Sequence, residues 1–213
     1  MESHKVKMFL LSDALIGASE GYGAIIDKDS VFDEVGLPII PGKRIKGILR
    51  SEAKLLNTYK PIKLSNNNTT DDPVELLFGK PGNTNIKNES VYVSNFCVDE
   101  YDANKVFLRK EIKQGRISRS EVISYFTALR TTTRINEDGI AAETSLRTIR
   151  VLKRGFHFVG ELAFDNQYVS VFKDILSLTR RIGSMRNRGL GQISCSLIDS
   201  NKHDLESLNG NEK

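Results

Sequence analysis

The spacing of apolar residues along this chain switches from a period of two to about 3.6 and back, and the order of those switches admits few folds. Val6 to Ser12 alternates through Val6, Met8 and Leu10, with Phe9 and Leu11 on the other side, which predicts a buried strand. Gly17, Gly21 and Gly23 mark a loop. In GLPIIPGKRIKGILRSEAKLL the period lengthens: after Pro38 and Pro41, the residues Ile45, Ile48, Leu49, Leu55 and Leu56 fall on one helical face. The Asn-rich stretch 64–72 reads as a surface loop, PVELLFG as a short helix closed by Gly79, and VYVSNFCV as a strand.

From Tyr101 to Arg134 the chain is charged, with one short helix about Ser120 to Thr127. RTTTRINEDGIA, with its Asp138-Gly139 turn, predicts a projecting hairpin. SLRTIRVLKRGFHFVGELAF alternates twice around Gly155 and predicts two antiparallel strands. YVSVFKDILSLTRRIG is an amphipathic helix with Val169, Phe172, Ile175, Leu176 and Ile182 inward, RNRGLG a loop, and GQISCSLID a closing strand. This order suits a ferredoxin-like (RRM-like) α+β sandwich with an enlarged middle. Residues 1–199 are expected to form one domain, with insertions at about 61–90 and 100–145, and 200–213 a disordered tail.

Composition narrows the function classes. With 39% hydrophobic and 27% charged residues the chain has the makings of one substantial core. Its longest apolar stretches, such as Met8 to Leu11, fall far short of the roughly 18 residues of a membrane span, so no membrane partner is expected. MESHKVKMFLLSD lacks a full apolar signal region and a cleavage site, and reads as a cytoplasmic first strand. Cys97 and Cys195, with three histidines, cannot support a disulfide framework or a Cys/His zinc site. The thiols are most simply core fillers.

The net charge of +4 and pI near 9.0 give only a weak preference for polyanions; the distribution says more. Lys43, Arg44, Lys46, Arg50, Lys54 and Lys60 stand against Glu52 alone, and Arg180, Arg181, Arg186 and Arg188 have no acid among them. Lys43, Arg44 and Lys46 lie at a helix start, where the dipole disfavours cations unless an anion is to be met. Glu20, Asp27, Asp29, Asp33 and Glu34 form an acidic run against Lys28. Each run also has a plain reading as a solvated face.

Gly183 to Gly191 (GSMRNRGLG) lies between helix and strand, so it is neither a Walker loop nor a dinucleotide fingerprint. It is either a flexible backbone presenting Arg186 and Arg188 to phosphate or a tight turn with solvent-facing arginines. Asp27, Asp29 and Asp33 could serve as hard metal ligands or as a single catalytic carboxylate, or simply form an acidic turn; they do not match an EF-hand. His157, between two phenylalanines, reads as a packed strand residue, and no Ser/His/Asp or Cys/His arrangement is present.

GLPIIPGKRIKGILR, LLFG, RINEDGIAAETSLRTIRVLKRGFHFVGEL and IGSMRNRGLG, in this order over about Ile16 to Ile198, resemble the RAMP superfamily of CRISPR-associated proteins. The resemblance implies an RRM-like core with an inserted thumb-like β-hairpin and a glycine-rich C-terminal loop. It implies a backbone-type subunit of a type III effector ribonucleoprotein, whose partners are guide CRISPR RNA, target RNA and other effector subunits. Carried onto this chain, the RNA-binding positions are Lys43, Arg44, Lys46, Arg50, Arg130, Arg134, Arg186, Asn187 and Arg188. Thr131, Thr132, Thr133, Ile135 and Ile140 belong to the thumb.

In cleaving members, a loop aspartate promotes attack of the target 2′-hydroxyl on its adjacent phosphate with Mg2+ or Mn2+ assisting. Asp27 matches by spacing, as catalytic and metal-binding residue, with Asp29 and Asp33 in reserve. GAIIDKDSVFDE departs from the family in having no proline soon after that aspartate. DKDSVFDEVGLPIIPGKRIKG and SLRTIRVL resemble the subtype III-D branch, which includes a non-cleaving subunit that caps the guide's 5′ tag. A guide-precursor processing endoribonuclease is a third reading, with His157 its mid-chain candidate.

Overall fold

The computed structural model describes residues 1–17, 26, 28–63, 72–79, 91–133 and 146–198. In chain order the elements are β1 (Glu2–Leu10), β2 (Ile39–Ile40), α1 (Gly42–Tyr59), α2 (Pro73–Phe78), β3 (Tyr92–Val93), β4 (Phe96–Val98), α3 (Tyr101–Lys113), α4 (Arg119–Phe126), β5 (Thr127–Thr132), β6 (Arg147–Leu152), β7 (His157–Phe164), α5 (Val169–Leu178) and β8 (Ile193–Leu197).

The main sheet runs β2-β4-β7-β1-β8, with β3 also on β7, and every pairing is antiparallel. Its four principal strands lie in the order β8-β1-β7-β4. These are the fourth, first, third and second strands of a βαββαβ unit whose helices are α1 and α5. The expected ferredoxin-like α+β fold is therefore present.

Strand alternation sets the layers. Val6, Met8 and Leu10 of β1 and Phe158, Leu162 and Phe164 of β7 point inward and are buried, as are Ile45, Leu49 and Ala53 of α1 and Phe172, Ile175 and Leu176 of α5. A β-carbon on Gly160 would stand 2.2 Å from the Phe96 ring, so glycine there makes room for the largest residue of β4. On the opposite face of the sheet Lys5, Lys7, Phe9, His157, Ser194 and Ser196 remain half-buried or exposed. Among the described residues no helix is long and apolar enough to cross a membrane.

Several boundaries differ from the sequence reading. β1 starts at Glu2, because Glu2 to Lys5 pair with the end of β7 despite their polarity. VYVSNFCV breaks into β3 and β4, with Asn95 turned to accept the Gly42 N–H at 2.9 Å. α5 ends at Leu178, and Ile182 is buried beyond the helix rather than on it.

The segments either side of Gly155 are strands, but they do not pair with each other. Residues 10–14 separate them: Ala14 and Leu152 exchange backbone bonds of 2.9 and 2.8 Å, while Gly155 N–H donates to Leu10 O at 2.8 Å. β6 instead pairs with β5, from Thr127–Leu152 to Thr132–Arg147, as a two-stranded ribbon separate from the main sheet. That ribbon is the base of the expected hairpin. Thr131 and Thr132 lie in β5 and Thr133 follows it, whereas Arg134, Ile135, the Asp138-Gly139 turn and Ile140 lie outside the described residues.

Candidate nucleic-acid interface

Beyond the end of β1 the chain passes between the β5–β6 ribbon and the glycine loop and ties both down. Asp13 Oδ2 accepts from Arg130 Nη2 of β5 at 2.6 Å, its Oδ1 from Arg154 N–H at 3.0 Å, and its backbone carbonyl from Gly191 N–H at 2.7 Å. Two residues further, Leu15 O accepts from Ser184 N–H at 2.9 Å. Beneath these polar ties, Leu15, Ile149, Val151 and Leu190 form a small core of their own, packed by Ala128 and Met185. Three segments far apart in sequence thus share one apolar cluster, which fixes the loop relative to the ribbon.

The glycines of the loop have two different reasons. Gly183 (φ +79°) and Gly191 (φ +75°) face backbone: a β-carbon would lie 2.3 Å from Leu15 O in the first case and 1.9 Å from Ile182 O in the second. Gly189 (φ +78°) has open space around it. It closes a single 3-10 turn, Arg186–Arg188, whose three side chains are all exposed. Arg181 Nη1 donates to Arg186 O and braces the turn. Among the described residues neither Arg186 nor Arg188 has an acidic partner. The loop is therefore a rigid stem with a cationic tip, rather than flexible throughout.

The start of α1 stands beside the root of this loop, since Ile45 and Ile48 border the same small internal gap as Thr179 and Ile182. Lys43 is exposed and Arg44 half-buried. The helix start is less open than expected: Gly42 N–H is taken by Asn95, and a β-carbon on Gly42 would meet Val93 O at 2.3 Å. Lys46 is turned inward, its Nζ donating to Val91 O at 2.8 Å, and burial, followed by the Arg50 charge, lowers its pKa. One guanidinium nitrogen of Arg50 is buried without a hydrogen-bond partner. Of the four α1 cations expected to bind RNA, then, Lys43 is exposed, Arg44 half-buried and Lys46 has an internal role.

The acidic segment runs along the ribbon, with Lys28 bridged to Ile149 and its carbonyl accepting Arg150 N–H at 3.0 Å. Asp29 is 3% exposed; its Oδ2 accepts from Arg150 Nη1 at 2.7 Å and its Oδ1 from Ser30 N–H at 2.7 Å. Asp33 holds a turn: its Oδ1 accepts from Val35 and Leu37 N–H, and its Oδ2 from the Tyr101 hydroxyl at 2.9 Å, with Lys105 Nζ 3.7 Å away. Both reserve carboxylates therefore have structural partners on each oxygen. Asp27 lies outside the described residues. Among the described residues no three His, Cys, Asp or Glu side chains converge as metal ligands.

His157 stacks on Phe9 with ring centroids 4.5 Å apart; burial and then Lys7 lower its pKa against the opposing pull of Asp99. The ring is thus a stacked strand residue. Asp13 and Arg150 were missed in the sequence. Asp13 belongs to no motif, but a cation at Arg150 between the inward Ile149 and Val151 signalled a carboxylate partner across the chain.

The family model described as the RAMP superfamily matches residues 10–194. Among solved structures, the chain is similar to one in the type III-B Cmr-beta complex bound to cognate target RNA: TM-score 0.65, 13% identity, covering 92% of this chain and 97% of that one. It is also similar to one in the apo state of Cmr-beta: TM-score 0.64, 11% identity, covering 93% and 98%. No curated protein matches by sequence.

Proposed function

Since the chain belongs to the RAMP superfamily, we propose that it is an RNA-holding subunit of a type III CRISPR effector ribonucleoprotein. Its glycine-loop tip and β5–β6 ribbon grip the guide's sugar–phosphate strand. The observation that carries this reading is the locking of loop and ribbon by Asp13 and Leu15, with Arg186 and Arg188 free of acidic partners among the described residues. Arginines so placed contact phosphate bidentately without reading bases. Asn187, Arg130, Lys43 and Arg44 extend the track, and Thr131, Thr132 and Thr133 lead into the thumb. Sequence choice then comes from guide pairing. The similar Cmr-beta chain belongs to a complex bound to cognate target RNA, which supports target RNA and other effector subunits as partners. The subtype III-D assignment rests on the sequence resemblance, because at 13% and 11% identity the III-B relatives speak to fold alone.

The non-cleaving role is favoured by the acidic segment, where Asp29 and Asp33 are committed to Arg150 and to a turn. A cleaving role, with its Mg2+ or Mn2+ requirement, then rests on Asp27. In the assembled complex, unchanged target cutting by Asp27→Ala supports the holding role. Loss of cutting at this subunit's position with assembly intact makes the chain an endoribonuclease. Guide binding is tested separately by the Arg186→Ala/Arg188→Ala double variant, whose log–log salt dependence of affinity should flatten by about 1.4, at ~0.7 per phosphate contact on a single strand. An unchanged slope would remove the loop from the RNA track.

A further inference from the structure

Residues of α3 and α4, none of them in the arginine track, line a cavity of about 650 Å3. Leu37, Val98, Leu108, Ile117, Val122 and Phe156 supply apolar wall, with Phe107 at the lip. α3 has no fully buried residue in its 13 positions, and Val106 and Phe107 are 69% and 57% exposed. A helix that keeps large apolar groups in water on this scale is poorly explained by the isolated chain.

The chemistry of the rim says what covers it. Asp99 and Glu121 line the cavity beside His157, and among the described residues no lysine or arginine does, in a chain of net charge +4. Most neighbouring cations are engaged elsewhere: Lys105 and Arg109 with Glu34, Arg116 with Glu111, Arg119 with Asp33 O, and Lys153 with Ser124 O and Tyr125 O; Lys7, whose charge reaches His157, and Arg154 are not in the wall. Lys110 and Lys113 lie further along α3 and are not in the wall. Phosphate is therefore disfavoured and cationic flanks are favoured. Gly155 N–H already donates to Leu10 O, and half of the wall comes from α3 and α4, so recognition falls to side chains rather than to strand addition.

We infer that this groove docks an amphipathic helix of a partner protein, one whose apolar stripe is flanked by lysines or arginines. Leucine-sized side chains at i, i+3, i+4 and i+7 enter between α3 and α4, and the flanking cations meet Asp99 and Glu121. The site is separate from the RNA track, so it stands or falls independently of the proposed function.

The test uses the full chain and two fluorophore-labelled 18-residue helical peptides, one of leucine and lysine with leucines at those positions, the other with glutamate in place of lysine. Anisotropy titration should show the lysine peptide binding at least about tenfold more tightly than the glutamate peptide. Phe107→Ser, at an exposed position that leaves the fold intact by circular dichroism, should weaken it about tenfold, as expected for an aromatic anchor. Asp99→Lys should narrow or reverse the preference between peptides. Hydrogen exchange should slow in residues 101–126 on binding. Equal binding of both peptides, or no effect of Phe107→Ser, overturns the inference. So does displacement of the peptide by an RNA oligonucleotide, or Phe107-dependent self-association of the chain, which would make a second copy the occupant.

Discussion

Two glycines six and eight residues beyond Gly183 have nearly the same backbone angle and opposite surroundings, so alanine at each separates conformation from packing. At Gly189 (φ +78°) an added β-carbon meets nothing within 4 Å, and the cost is that of a left-handed alanine, about 1 kcal/mol. At Gly191 (φ +75°) the same β-carbon would stand 1.9 Å from Ile182 O, a backbone atom that cannot swing aside. Relieving it disturbs the bond from Ile182 N–H to Gly191 O at 2.7 Å and that from Gly191 N–H to Asp13 O at 2.7 Å. At about 1 kcal/mol for the same backbone angle, about 1 kcal/mol per bond and 1–3 kcal/mol of overpacking, Gly191→Ala should cost ~4–6 kcal/mol, a large part of a typical domain's ~5–15 kcal/mol. Urea unfolding followed by far-ultraviolet circular dichroism measures both, with unchanged slope required for the comparison. RNA affinity of Gly189→Ala should be unchanged. Equal losses near 1 kcal/mol would refute the claim that the loop is a packed stem with an open tip.

Asp29→Asn should lower stability by about 3 kcal/mol, because it leaves the Arg150 guanidinium half-buried without its charge partner; a stability within 0.5 kcal/mol of the parent by urea titration, on the order expected for an exposed site, would return Asp29 to the catalytic candidates. Both thiols, each half-buried, should react more slowly with an aromatic disulfide at pH 8 in the folded chain than in urea, since burial raises the Cys97 pKa and pushes Cys195 up to about 12; reaction of either at its unfolded rate in the native state would contradict the raised pKa. The His157 pKa is lowered from its ordinary 6.5 by burial and Lys7. The unfolded chain therefore binds more protons just below that value, and the neutral ring's contribution is complete above pH 6.5 and lost as the pH falls below it. Urea midpoints at pH 7.5 and 5.5 should accordingly diverge less in His157→Gln than in the parent, and an equal or greater divergence would argue against the shift.

The two helices that define the fold were legible because their apolar residues serve one core: Ile45, Leu49 and Ala53 in α1, and Phe172, Ile175 and Leu176 in α5. α3 was not, because Val106 and Phe107 point outward and blur the period. Alternation identified β6 and β7 as strands without revealing their partners, which residues 10–14 decide by coming between them. The arginines of the glycine loop were visible as a pattern. The reason for Gly183 and Gly191 was not, since it lies in Leu15 O and Ile182 O. Asp29 and Asp33 were read as chemistry because charge runs do not show that Arg150, Tyr101 and three backbone N–H groups await them.

Photo-crosslinking of guide RNA to the assembled complex, with mass spectrometry of the attached peptides, tests the RNA track most directly. Crosslinks should fall in the peptide holding Arg186, Asn187 and Arg188 and in that of β5, and should be lost from the former in Arg186→Ala/Arg188→Ala. Crosslinks confined to α3 and α4, with the glycine loop unlabelled, would contradict it.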